Sequence, residues 1–232
     1  MAWVTFDLFS ALVDARTGGS AALSAIAGRH GWDVAGSELY DEWDTRNKAG
    51  QKDTPVGDGV PWVSFAEHCR RALAATYAAR GLPTDAAGVA ADTETLLGTL
   101  PDWPLWPDVA AALPEVARSH RVGVLSNVDD DLFARTRVAP LVARLSDDAA
   151  VLTSQRLGAY KPAARLYRRA ADAGVDVHVP ASARDTRGAL EAGLTVVRVR
   201  RPGHRVDPDG PRPQHEVADL SGLPGVLAAL TG

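Results

Sequence analysis

Four short apolar runs, each carrying β-branched residues, constrain the fold of this chain more than any other feature: WVTF (3–6), RVGVLS (121–126), VDVHV (175–179) and TVVRV (195–199). Runs of this kind are the buried strands of a parallel sheet. Helical stretches separate them, as parallel strands require. PDVAAALPEVARSH (107–120) and PAARLYRRAADAG (162–174) each open on Pro, which suits a first helical turn, and the second closes on Gly, as does TRGALEAG (186–193). The alternation predicts an α/β fold with a doubly wound parallel sheet, whose ligands lie beyond the carboxyl ends of the strands.

Between the first and second runs the rhythm breaks. GSAALSAIAGRHG, GSELYDEWDTRNKAG, SFAEHCRRALAATYAARG and DAAGVAADTETLLGTL are helical patterns with no strand among them. Residues 16–100 are therefore expected as a helical cap inserted into a core made of residues 1–15 and 101–232. PDWPLWPD (101–108), with three prolines in eight residues, is the expected return linker. RRPGHRVDPDGPRPQHE (200–216) reads as a solvated surface loop.

At 232 residues the chain can bury a sizeable interior. A formal net charge of -4 supplies no basic field for nucleic acid. The one cysteine, Cys69, permits neither an internal disulfide nor a Cys pair for metal, and reads as a small apolar residue on a helix. No window approaches the ~20 apolar residues of a membrane span, and Asp7 interrupts the first apolar run before it reaches signal-peptide length. These features predict a soluble, cytoplasmic protein. Its expected partners are a small-molecule substrate and, in a homodimer, a second copy of the chain, with neither nucleic acid nor membrane.

The polar residues that close the strands form one set. Asp7 follows the first run, Ser126 and Asn127 finish the second, Lys161 stands just before a helix, and Asp185 lies shortly after the third run. Singly, each has an ordinary role as turn residue, helix cap or surface charge. In a doubly wound sheet, however, all converge on one edge. Carboxylate, hydroxyl, ammonium and carboxylate together suit covalent catalysis. Asp7 would be the nucleophile, Lys161 would hold it ionised and oriented, Ser126 would donate to it or to the substrate, and Asp185 would position Lys161 or water.

FDLFSALVD, VGVLSN, LGAYKPAARLY and SARDTRGALEAG, in that order, resemble the four motifs of the haloacid dehalogenase superfamily, with residues 16–100 where its helical cap is inserted. The resemblance runs over nearly the whole chain. It implies a Rossmann-like core, an aspartyl-ester intermediate on Asp7, and Ser126, Lys161 and Asp185 as the other catalytic positions.

Two departures weigh against the Mg²⁺-dependent phosphatases of that superfamily. Those enzymes generally carry a second Asp two residues after the nucleophile, as acid for the leaving alcohol; here the position is Phe9, which cannot donate a proton. Their fourth motif usually begins with a Gly-Asp pair whose carboxylate ligates Mg²⁺, where this chain has Pro180 and Ala181. The dehalogenase branch is the nearer match. It has an aromatic residue at the Phe9 position, a Tyr six residues after the motif Lys, as Tyr167 is here, and a fourth motif of the length of PASARDTRGA, with Ser182 at its Asn position.

By that resemblance Phe9, Ser10, Asn127, Tyr167 and Ser182 are expected around the substrate, and Arg46, in WDTRNKAGQ, is expected to hold its carboxylate or the departing halide. The Gly-Thr that usually follows the aromatic residue is replaced by Ser10 and Ala11, which leaves Ser10 as the available hydroxyl. Three readings follow. The first is a hydrolase most like a 2-haloacid dehalogenase, with no metal or cofactor. The second is a phosphatase with Mg²⁺ on Asp7, a backbone carbonyl and Asp185. The third is a non-catalytic protein that binds a small acid.

Other polar and aromatic features have structural readings. The acids at 129–131 begin a helix, whose positive end favours them, rather than a metal site. His178 is expected as a hydrogen-bonded core or edge residue. Trp103 and Trp106 are expected to pack the linker, and Trp32, Trp43 and Trp62 either pack cap helices or line an apolar pocket.

Overall fold

The computed structural model describes residues 1–54 and 61–231. β1 (Trp3–Phe6) runs into one π-helical turn, Leu8–Leu12, and then into four helices: α1 (Ala15–His30), α2 (Gly36–Lys52), α3 (Phe65–Arg80) and α4 (Ala86–Gly98). α5 (Val109–Ala117) leads to β2 (Arg121–Ser126), followed by the short α6 (Asp130–Ala134) and α7 (Ala139–Ala143). β3 (Val151–Thr153), α8 (Ser154–Leu157), α9 (Ala164–Asp172), β4 (Val177–Val179) and α10 (Ala183–Glu191) come next. β5 (Thr195–Val199), β6 (His215–Val217) and α11 (Leu223–Thr231) complete the chain.

The strands form one parallel sheet in the order β3-β2-β1-β4-β5-β6. Val4 of the central β1 faces Val122 on one side and Val177 on the other, and Val4 and Phe6 are wholly buried. The winding direction reverses at β1, so a crevice opens beyond the carboxyl ends of β1 and β4. Asp7 emerges there, its N–H donating to the carbonyl of Val179 at 3.1 Å.

β3 and β6 go beyond the four strands legible in the sequence. Each has three residues, too few to display a period, and each is placed by pairing with a neighbour already in the sheet. The first two residues of β6 also fall in the segment expected as a solvated loop.

The helical insert is built from local signals. Asp14 caps α1 by accepting from the N–H of Thr17, Ser64 and Asp85 cap α3 and α4 in the same manner, and α1 stops at Gly31 in the left-handed region. α1 packs on α2 and α4, and α3 packs on α2 and α4. Leu23, Ile26, Leu39, Leu73, Tyr77 and Leu96 fill the space between them.

Polar contacts at the carboxyl edge of the sheet tie this insert to the core. The Asp129 carboxylate accepts from the N–H groups of Phe65 and Ala66, both at 2.9 Å, so an acid from the core caps the first turn of α3. The hydroxyl of Tyr160 donates to Val63 O at 2.8 Å, and Asn127 Nδ2 donates to Gln51 on α2 at 2.8 Å. Arg184, on α10, donates to the carbonyl of Lys48 at 2.6 Å. The cap is thereby held over the strand ends.

Candidate active site

Asp7 is the first residue past β1, and its side chain caps the π-helical turn. Its Oδ2 accepts from the Ser10 N–H at 2.9 Å and the Ser10 hydroxyl at 2.5 Å. Its Oδ1 accepts from Lys161 Nζ at 2.9 Å and from Ser126 Oγ, at the end of β2, at 3.3 Å. Donors from three parts of the chain thus fix both oxygens at the mouth of the crevice.

Lys161 is 4% exposed and bridges two carboxylates, with Asp185 Oδ2 at 2.6 Å on its other side. Asp185 lies in the first turn of α10 and is held from beneath. Tyr167 donates its hydroxyl to Asp185 Oδ1 at 2.9 Å, and His178 Nε2 lies 3.1–3.2 Å from both oxygens. Burial by itself would raise the Asp185 carboxyl, but the charges and hydrogen bonds of Lys161 and His178 overcome it and hold the group well below the usual carboxylate range. His178 completes its own pairing through Nδ1, 3.1 Å from Thr5 Oγ1.

Above these groups is a cavity of about 500 Å³ lined by residues of core and insert. One wall is aromatic. Phe9 stacks on Phe65 at 5.6 Å and meets Trp103 edge-on at 5.8 Å, while Trp43 and Trp106 extend the wall. Charged residues of α1 and α2 also line the cavity, and two of the acids there are already paired: Asp41 with Arg16 at 2.8 Å and Asp44 with Lys48 at 2.5 Å. Two arginines differ. Among the described residues, Arg184 gives its guanidinium only to the carbonyls of Lys48 and Lys161, and Arg205 has no side-chain partner.

Asp7, Ser10, Ser126, Lys161 and Asp185 are brought together around the crevice, and Phe9, Asn127 and Ser182 reach the same cavity. Ser182 also caps α10, accepting from the Asp185 N–H at 3.4 Å. The Asn127 side chain accepts from the Lys161 N–H at 2.7 Å and donates to Gln51, so it serves as a brace between core and cap. Tyr167 is not among the lining residues. It is fully buried behind Asp185, which corrects its expected place beside the substrate.

Arg46 is likewise absent from the lining and turns along its own helix toward Glu42, 3.8 Å away. The helical period explains this. Trp43, Asp44, Asn47, Lys48 and Gln51 form the face of α2 turned to the cavity, and position 46 lies to one side of it.

Several residues read as structural belong to the site or its support. Trp103 and Trp106 do pack the linker, with Trp106 Nε1 donating to Ser10 O at 3.1 Å, but they also wall the cavity. His178 is the buried hydrogen-bonded residue expected, placed directly under Lys161 and Asp185. The loop at 200–216 is not wholly solvated: Pro202, Gly203, His204 and Arg205 line the cavity, and Arg201 is buried. Position was the signal available, since this loop follows a strand end just as Asp7 and Asp185 do. Its Pro- and Gly-rich composition masked it.

A divalent cation would need several oxygen donors directed at one point. Here Asp7 Oδ1 and Asp185 Oδ2 converge on the ammonium of Lys161, and Ala181 offers no side-chain oxygen. Among the described residues no group of three or more His, Cys, Asp or Glu could hold a metal ion. This donor set does not fit Mg²⁺.

No protein-family model matches the chain, and no curated protein matches it, whereas solved structures do. The crystal structure of a dehalogenase, 25% identical, matches with a TM-score of 0.77 over 98% of this chain and 96% of its own. The L-2-haloacid dehalogenase from Xanthobacter autotrophicus with chloropropionic acid covalently bound is 21% identical and matches with a TM-score of 0.80 over 100% of both chains. A haloacid dehalogenase-type hydrolase from Bacillus subtilis bound to magnesium is 14% identical, with a TM-score of 0.75 over 98% of each chain. The chain has the fold of the haloacid dehalogenase superfamily, a Rossmann-like parallel sheet with a helical cap, in the form found in 2-haloacid dehalogenases.

Proposed function

We propose that the chain is a hydrolase of the haloacid dehalogenase type, working through an ester on Asp7 and acting on a small organic acid with a displaceable halide on carbon 2. The observation that carries this reading is the setting of Asp7: a carboxylate fixed on both oxygens, beside a buried lysine, under a cavity with one aromatic wall. An Asp7 oxygen attacks the carbon, the bonding pair leaves with halide, and an alkyl ester remains. Water then cleaves that ester at its carbonyl, giving the hydroxy acid, a proton and free Asp7.

Lys161 holds Oδ1 in line, Ser10 holds Oδ2, and Asp185 with His178 and Tyr167 holds Lys161. The aromatic wall of Phe9, Phe65 and Trp103 excludes water during the displacement and accepts an apolar substituent. Arg184 and Arg205, cations with no carboxylate partner among the described residues, attract the substrate's acid group, the role expected of Arg46. The covalently bound chloropropionic acid of the matched dehalogenase supports both the ester and the substrate class. Phe9 supplies no acid for a leaving alcohol, and the donor set does not fit Mg²⁺, so phosphoryl transfer is not favoured.

The test is halide release from a panel of 2-haloacids, with intact-protein mass and with Asp7→Asn as control. Release that EDTA leaves unchanged and Asp7→Asn abolishes is the expected result. No release from any member, or EDTA-sensitive turnover of phosphomonoesters, overturns it. Thermal stabilisation by small acids that survives Asp7→Ala, without turnover, would leave a binding protein in its place.

A further inference from the structure

The aromatic wall of the cavity is tied directly to the nucleophile. Phe9 stands two residues after Asp7, and Trp106 donates its indole N–H to the carbonyl of Ser10, whose own N–H and hydroxyl hold Asp7 Oδ2. Phe65, from α3, stacks on Phe9 with 11° between the ring planes, and Trp103, from the return linker, meets Phe9 at 61°. Trp43 of α2 continues the surface on the cap side.

These five side chains have no polar group left for a ligand. The indole N–H is the one polar atom of a tryptophan side chain. That of Trp43 donates to Cys69 O at 3.1 Å, that of Trp103 to Thr99 Oγ1 at 2.9 Å, and that of Trp106 to Ser10 O at 3.1 Å. With all three satisfied inside the protein, the indoles offer the cavity only ring carbon, as Phe9 and Phe65 do.

The cavity, at about 500 Å³, is also much larger than a three-carbon acid requires. A 2-halopropanoate fills on the order of 100 Å³, the space of about three or four waters. Such a substrate would leave water beside the carbon under attack, where halide displacement needs it excluded. Resting on the reading above, we infer that the substrates are 2-halo-3-arylpropanoates, with the acid group toward Arg184, the halogen-bearing carbon at Asp7 and the aryl ring along the aromatic wall. Arg184 marks the acid end because its guanidinium donates to the carbonyl of Lys161, whose ammonium lies on Asp7. An aryl ring extends the wall's stacked and edge-on array through contacts that an alkyl chain lacks. The bonds made and broken are those of the ester route, and the products are the 2-hydroxy-3-arylpropanoate, halide and a proton.

The experiment compares halide release by the full-length protein from 2-bromopropanoate, 2-bromohexanoate and 2-bromo-3-phenylpropanoate, with propanoate and 3-phenylpropanoate as competitive inhibitors. Burial of the ring predicts a kcat/KM about 100-fold higher for the phenyl substrate than for the propanoate and higher than for the hexanoate, with 3-phenylpropanoate the tighter inhibitor by a similar factor. In Phe9→Leu and Trp106→Leu, each checked for cooperative unfolding, the phenyl-to-propanoate ratio falls about 10-fold. A ratio near one in wild type, a hexanoate turned over as well as the phenyl acid, or a ratio unmoved in both variants overturns the aryl class and leaves the dehalogenase reading standing. Equal inhibition by the two halogen-free acids overturns it whether or not the variants fold. Absence of halide from every member removes the dehalogenase reading, and the substrate class with it.

Discussion

Replacing Lys161 by Met tests the arrangement most directly, because one ammonium joins two buried carboxylates. With an effective dielectric constant of about 20, charges separated by the observed 2.9 Å and 2.6 Å attract by on the order of 6 kcal/mol each before desolvation. Desolvation of the three ions offsets much of this. Removing only the cation, however, leaves Asp7 and Asp185 facing each other without it, a change that costs about 3–5 kcal/mol in buried pairs.

The sign with pH follows from Asp185. Its carboxyl is depressed in the folded protein, so it contributes stability above its unfolded value, near 4, and loses it as pH falls further. Without Lys161 burial dominates and the carboxyl moves upward. The variant then takes up a proton on folding at mildly acid pH, and its deficit against wild type narrows between pH 7.5 and 5. Urea unfolding at the two pH values measures this. A deficit under about 1 kcal/mol at pH 7.5, or one equal at both, would refute the reasoning.

Ser10→Ala removes the hydroxyl bonded to Asp7 Oδ2 while leaving the backbone N–H; kcat/KM for halide release falls about 10-fold, a loss in the range of one charge-assisted hydrogen bond. An unchanged value would show that Oδ2 is positioned without it. Asp129→Ala leaves the Phe65 and Ala66 N–H groups without their acceptor and lowers stability by about 1–2 kcal/mol in chemical denaturation, with Asp129→Asn losing less. Gly18→Ala puts a methyl 2.4 Å from Trp103 Cγ, which must shift; stability falls by about 1–3 kcal/mol and KM rises because Trp103 is a cavity wall.

Short-range chemistry made much of this protein legible from its residues. Apolar β-branched runs announce β1, β2, β4 and β5, unbroken helical patterns announce the insert, and the strand ends carry Asp7, Ser126 and Asp185. Each of these signals lies within a few residues of what it determines. β3 and β6 were hidden because a three-residue strand has no period of its own and exists by virtue of a neighbour.

Tertiary contacts decided the rest. Whether α2 turns Arg46 or Asn47 to the cavity depends on its rotation against α1 and α3, and one residue moves a side chain by about 100° around the axis. Tyr167 went behind Asp185 instead of beside the substrate because α9 packs under α10. Asp129 caps a helix 64 residues away, and Arg201 grips a carbonyl 190 residues away. The order of residues determined what chemistry reaches the sheet edge; only packing between distant segments determined which groups there are occupied and which are left free.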